Sequence, residues 1–226
     1  MCGRYLLSTS AEIIADLFQA ELTAEFRPRY NIAPSQMIPV VELAGKSRRV
    51  SLMRWGLTPS WAKAKIGPRG GVRLPDFINA RSETASSKPS FRNAFRQRRC
   101  IVPADGFFEW KKALDGSRQA HCVRFGDRQV FAMAAIWETW RSAEGALRQG
   151  VCVLTTQGNA DLKTLHDRMP VVLHPDHYDF WLNPASALPP IEDLLQPLPD
   201  GFMEVYPVSN RVNKPGHDDA DLLNPI

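Results

Sequence analysis

The 226-residue sequence lacks the features that anchor or crosslink a chain. It has no run of about 18 apolar residues, which excludes a membrane-spanning helix. Its N-terminus has no basic stretch followed by an apolar one, so no secretory leader is expected. A cytoplasmic protein, nucleoid-associated when bound to DNA, is the expectation. Cysteine is scarce, with four residues at positions 2, 100, 122 and 152, and no pair has CxxC spacing. In a reducing compartment a disulfide framework is therefore not expected. Five histidines are present, but His121-Cys122 and His174-Pro175-Asp176-His177 are too close together or too isolated for a four-ligand metal site. No metal and no cofactor is expected. Internal repeats and low-complexity linkers are absent too, and residues 1–226 read as one domain.

What is present is a balanced globular composition, 44% apolar and 23% charged, enough to build a full core. The pattern predicts an α+β fold, a strand-rich, barrel-like core of mixed or antiparallel sheet with a few flanking helices. Strand-like runs fall at 37–43, 49–54, 99–103, 120–125, 129–136, 150–156 and 203–208. Thr9-Ser10-Ala11-Glu12 resembles a capping box and predicts a helix over 10–22, with Ile13, Ile14, Leu17 and Phe18 on one face. Further helices are expected at 89–98, 159–166 and 175–183. Residues 56–78 form a long loop rich in proline, glycine and cations, which in a compact domain points to function.

Charge is unevenly placed. Residues 46–100 hold fourteen Lys and Arg against Asp76 and Glu83, a net +12 in a chain whose total is +4. Such a run is either a solvated face or a surface for a polyanion. Trp61 stands in the cationic loop and is either a base-stacking platform or a loop anchor.

The chain opens Met1-Cys2-Gly3-Arg4-Tyr5. Removal of Met1 would leave an amine and a thiol on neighbouring carbons of Cys2. Cys100, Cys122 and Cys152 lie in apolar runs and read as small core residues; no such run surrounds Cys2. Three further polar groups stand beside apolar or structured stretches: Asn79 in "DFINARSET", Glu109 in "ADGFFEWKK" and His166 in "LKTLHDRMPVVL". Singly each has a structural explanation. A Glu among aromatics pairs with an Arg, and a His ending a helix complements its dipole.

Seven blocks occur in order: "MCGRY", "RYNIAPS", "RWGLTPSW", "INARSET", "ADGFFEW", "LHDRMPVVL" and "PVSNRVN". Together they closely resemble the SRAP family, named for SOS-response-associated peptidases, over essentially the whole chain. About eight residues, roughly "IGPRGGVR", look additional to the family pattern ahead of the "INAR" block. The resemblance implies an abasic-site-reactive enzyme that shields the lesion in single-stranded DNA by covalent attachment through Cys2. It implies Cys2, Asn79, Glu109 and His166 as catalytic residues, and Arg4, Trp61, Arg81 and Arg168 as DNA contacts. The partner is single-stranded DNA with abasic sites, and the protein is expected to be a monomer. Two other readings stay open: a thiol peptidase using Cys2 with His166 and Asn79, and a nucleic-acid-binding module without catalysis.

Overall fold

The computed structural model describes residues 2–66 and 72–226. Met1 lies outside them, and so does most of the additional stretch, Arg69 included. The strands in chain order are β1 (Tyr5–Leu7), β2 (Ala20–Leu22), β3 (Arg29–Ile32), β4 (Met37–Ala44) and β5 (Ser47–Trp55). Two short strands, β6 (Lys65–Ile66) and β7 (Val72–Arg73), pair with each other and precede β8 (Asn79–Arg81). There follow β9 (Arg99–Ala104), β10 (Gly106–Lys112), β11 (Arg118–Phe125), β12 (Phe131–Arg141) and β13 (Leu147–Gln157). The last three are β14 (Arg168–Pro170), β15 (Val172–Leu173) and β16 (Met203–Pro207). Five short helices, α1 (Ala11–Leu17), α2 (Ser82–Ala85), α3 (Arg92–Gln97), α4 (Tyr178–Leu182) and α5 (Leu188–Asp193), decorate the sheets.

Neighbouring strands in the larger sheet run β13-β12-β9-β4-β5, and a parallel pairing of β13 with β5 closes that ring into a five-stranded barrel. Closure explains the sequence of β9, in which all six residues are buried and no polar–apolar alternation appears. Gly150 permits the closing contact, because a Cβ there would stand 2.2 Å from the Gly56 carbonyl oxygen. The fold is thus the strand-rich α+β architecture expected.

A second sheet, in the order β16-β11-β10-β1-β3, packs beside the barrel. Its two faces bury different cores. Tyr5, Leu7 and Phe107 join the large core shared with the barrel, whereas Leu6, Phe108 and Cys122 join a smaller cluster with Val208, Val212 and Leu222. Period-two alternation therefore puts Glu109 on the face of Phe107, towards the large core.

Two helical expectations need correction. The helix predicted over 10–22 ends at Leu17, because Gln19 takes a left-handed φ of 48° and turns the chain into β2. Its cap is Ser10, and Ile13 and Leu17 are exposed while Ile14 and Phe18 are buried. Thr9 instead donates to the buried carboxylate of Asp105 at 2.8 Å, through both its hydroxyl and its N–H. The helix predicted over 159–166 is a succession of turns, in which the Asn159 carbonyl accepts from Lys163 N–H and the Leu162 carbonyl from His166 N–H.

Candidate functional site

β1 runs antiparallel to β10, with Tyr5 opposite Phe107, and Phe108 N–H donates to the Arg4 carbonyl at 2.9 Å. The residues ahead of β1 consequently run alongside Glu109. From the barrel side, the Asn79 amide donates through Nδ2 to the Cys2 carbonyl at 2.7 Å. Cys2 is therefore held where the two sheets meet, with β10 on one side and β8 on the other.

The sequence sets Cys2 apart from the other cysteines, but all four are buried. What distinguishes Cys2 is its polar company. Burial, and secondarily the Glu109 carboxylate, push its thiol up to about 12, and Sγ lies 3.9 Å from the Arg4 carbonyl oxygen. At neutral pH it is a thiol and not a thiolate, and it needs a base to act as a nucleophile. Glu109 is 4% exposed and close enough for its charge to be felt at Sγ.

β8 lies parallel to β13, with Asn79 opposite Val153 and Arg81 opposite Thr155. Asn79 and Arg81 share one face of the strand and the buried Ala80 takes the other. The Asn79 Oδ1 atom is buried with no hydrogen-bond partner among the described residues, which leaves an acceptor for a ligand hydroxyl. Arg81 is exposed.

On the other edge of β13, Arg168 lies opposite Gln157. Its guanidinium forks onto Glu83, with Nη1 to Oε1 at 2.5 Å and Nη2 to Oε2 at 2.9 Å, and also donates to the Thr155 carbonyl. That fork holds the Glu83 carboxyl below its ordinary range. His166 precedes β14 at the same end of β13. Its Nδ1 accepts from Arg168 N–H at 2.9 Å and lies 2.9 Å from the exposed Asp167 carboxylate.

Arg4 donates through Nη1 to Asn31 Oδ1 at 3.2 Å and meets no carboxylate among the described residues. Trp61 is both anchored and exposed. Its Nε1 donates to the Pro89 carbonyl at 3.2 Å, yet the residue is 61% exposed and lines a cleft of about 340 Å³ with Arg92 and Arg96.

Folding disperses much of the +12 segment. Arg48 pairs with Asp179, Arg49 with Glu42, Arg54 with Asp76 and Arg98 with Glu138. Arg99 is buried against main-chain carbonyls of Trp181, Phe95, Arg96 and Asn183. Charge counted along the sequence overstates the surface field, because partners distant in sequence cancel it. A cavity of about 740 Å³, lined by Phe125, Phe131, Leu198 and Phe202 among others, shares no residue with this site.

Sequence reasoning missed Asn31 and Asp105, although both stand inside blocks quoted above. Asp105 accepts from the N–H and hydroxyl of both Ser8 and Thr9 and pins the chain just after β1. A buried acid beside a glycine was the available signal.

The barrel closed by β13 and β5 belongs to a fold shared with solved structures. One from Bacteroides thetaiotaomicron aligns over 100% of both chains at a TM-score of 0.85 and 24% identity. Another, from Bordetella bronchiseptica, covers 92% of this chain and 100% of its own at 0.76 and 25% identity. The family model SOS response associated peptidase (SRAP) matches residues 1–215, and the chain belongs to that family. Among its relatives, abasic site processing protein YoaM of Bacillus subtilis is 38% identical over 99% of this chain and 98% of its own. Abasic site processing protein YedK of Escherichia coli is 28% identical over 100% of each.

Proposed function

We propose that this protein processes abasic sites in single-stranded DNA by capturing the lesion covalently on Cys2, exposed by removal of Met1. The observation that carries the reading is the meeting of Cys2 with Asn79 and Glu109 at the junction of the two sheets.

The ring-opened abasic sugar presents an aldehyde at C1′. The Cys2 amine adds to that carbon, and loss of water gives an imine. The thiol sulfur then bonds to the same carbon, its proton passes to the nitrogen, and a five-membered thiazolidine closes. The sum is aldehyde plus aminothiol giving thiazolidine plus one water. Closure is intramolecular, where effective molarities reach ~10⁵ M or more. Because burial holds the sulfur protonated, closure needs a base, and Glu109 fills that role. His166 donates a proton to the sugar ring oxygen during opening. Asn79 holds Cys2 through Nδ2 and offers Oδ1 to a sugar hydroxyl. Arg4 and Arg81 contact phosphates flanking the lesion, and Arg168 is the third such contact once its fork to Glu83 opens. The exposed face of Trp61 stacks a neighbouring base. The imine acidifies the C2′ proton, so weak lyase cleavage accompanies capture until the ring closes. Capture of this kind places the protein in the DNA damage response, acting as a monomer.

Incubation with an abasic oligonucleotide, followed by denaturing electrophoresis, tests the proposal. A denaturation-resistant band that disappears in Cys2→Ala is expected; a band of normal yield in that variant would sink the aminothiol route.

A further inference from the structure

Asn31 lies in β3, fully buried. Its Nδ2 faces three main-chain carbonyls, those of Val212 at 3.2 Å, Lys214 at 3.1 Å and His217 at 2.7 Å. Three acceptors around one end of the amide require that end to be nitrogen, since the flipped amide would set oxygen against three oxygens. Oδ1 is thereby obliged to face the other way, and there it accepts from Arg4. The loop supplying the carbonyls is itself fastened to β3. Asp218 Oδ1 accepts from Tyr30 N–H at 2.6 Å and Asn31 N–H at 2.9 Å, and its Oδ2 pairs with Arg29. The Arg4 Nε is buried without a partner among the described residues, so the neutral Asn31 acceptor is its side chain's one hydrogen-bond partner there.

We propose that Asn31, oriented by the segment 212–218, is the positioning residue of Arg4: it holds the guanidinium by a neutral oxygen and leaves the whole positive charge for a DNA phosphate. The inference rests on the reading of Arg4 as a phosphate contact. It gives the acidic C-terminal residue Asp218 a part in DNA binding that its charge alone would argue against. A carboxylate at position 31 would neutralise Arg4, whereas an amide fixes its direction and leaves its charge intact.

The test uses an intact single-stranded oligonucleotide, so that binding is read apart from covalent capture. Affinity is measured across a salt series for the wild type, Arg4→Gln, Asn31→Ala and the double variant. Each phosphate contact on a single strand contributes about 0.7 to the slope of log K against log salt. Arg4→Gln should flatten the slope by about 0.7, Asn31→Ala should flatten it comparably, and the double variant should lose no more than either. Should Asn31→Ala not fold, Asp218→Ala is read the same way: flattening when Arg4 is present and none in the Arg4→Gln background. An Asn31→Ala variant that melts lower but keeps the wild-type slope would make the residue structural only and overturn the proposal. So would a double variant losing about 1.4, the sum of two independent contacts. An unchanged slope in Arg4→Gln overturns it at its root. Failure of the capture reading is visible separately, as a wild type that shows these slopes yet forms no adduct with abasic DNA.

Discussion

Arg4 precedes the first strand of the smaller sheet and Arg168 begins β14 on the barrel, and the two are held in opposite ways. Arg168 is 12% exposed at its side chain and forks onto a carboxylate and a main-chain carbonyl. Among the described residues the Arg4 guanidinium donates to a single neutral amide oxygen. The first arrangement joins α2 and β13 to β14, and its charge is largely spent within the protein. The second restricts direction while leaving the charge unspent. Two guanidinium groups read alike in sequence are thus a strut and, among the described residues, a charge with no carboxylate beside it, and the identity of the acceptor decides which.

Removing Arg168 is expected to have the largest effect on folding. Arg168→Ala strands the Thr155 carbonyl and Glu83 and should cost about 2 kcal/mol. That lowers Tm by about 4–8 °C at this chain length. Arg4→Gln should leave Tm within about 2 °C, since it removes one partly buried hydrogen bond. Thermal unfolding of both variants settles the contrast, and equal losses would break it.

Binding should reverse the order. Arg4→Gln should weaken intact single-stranded DNA about 5–10-fold at 0.1 M salt, the loss of roughly one charge-assisted contact. Glu83→Gln should strengthen it slightly, by freeing the Arg168 guanidinium. Fluorescence anisotropy with a labelled oligonucleotide reads both, and a weaker Glu83→Gln complex would show that Arg168 serves DNA only when forked.

The smallest effect is in pH. The Arg168 fork lowers the Glu83 carboxyl, so between the lowered value and about 4.5 the unfolded chain binds more protons than the folded one. This contribution is present above about 4.5 and is lost as pH falls through the folded value. Glu83 is 44% exposed, so under about 1 kcal/mol is at stake. Urea unfolding at pH 3 and pH 7 should show less acid sensitivity in Glu83→Gln than in the wild type, and unchanged sensitivity in Arg4→Gln.

The barrel was legible where a strand announces itself: the runs at 37–43, 49–54, 99–103 and 150–156 lie within its strands, and the run at 120–125 lies within β11 of the second sheet. β10 was not, because Phe107, Phe108 and Glu109 are all buried between two cores and show no alternation. Asn79 and Glu109 stood out as polar groups in apolar settings and Cys2 as a cysteine with no apolar run around it, and the fold does bring them together. The contrast between Arg4 and Arg168 was invisible. Glu83 is 85 residues from Arg168 and Asn31 is 27 from Arg4, and only tertiary structure assigns such partners. Asp218 stands in an acidic cluster with Asp219 and Asp221 and is a clasp on β3, because two backbone N–H groups there need an acceptor.

Intact-mass and peptide-mapping analysis of the protein after incubation with an abasic single-stranded oligonucleotide, with no reductant added, tests the central claim most directly. The account predicts a species weighing the Met1-less chain plus the oligonucleotide less one water, with the modification on the peptide that begins at Cys2. A modification on a lysine, or an adduct seen only after borohydride trapping, would contradict it.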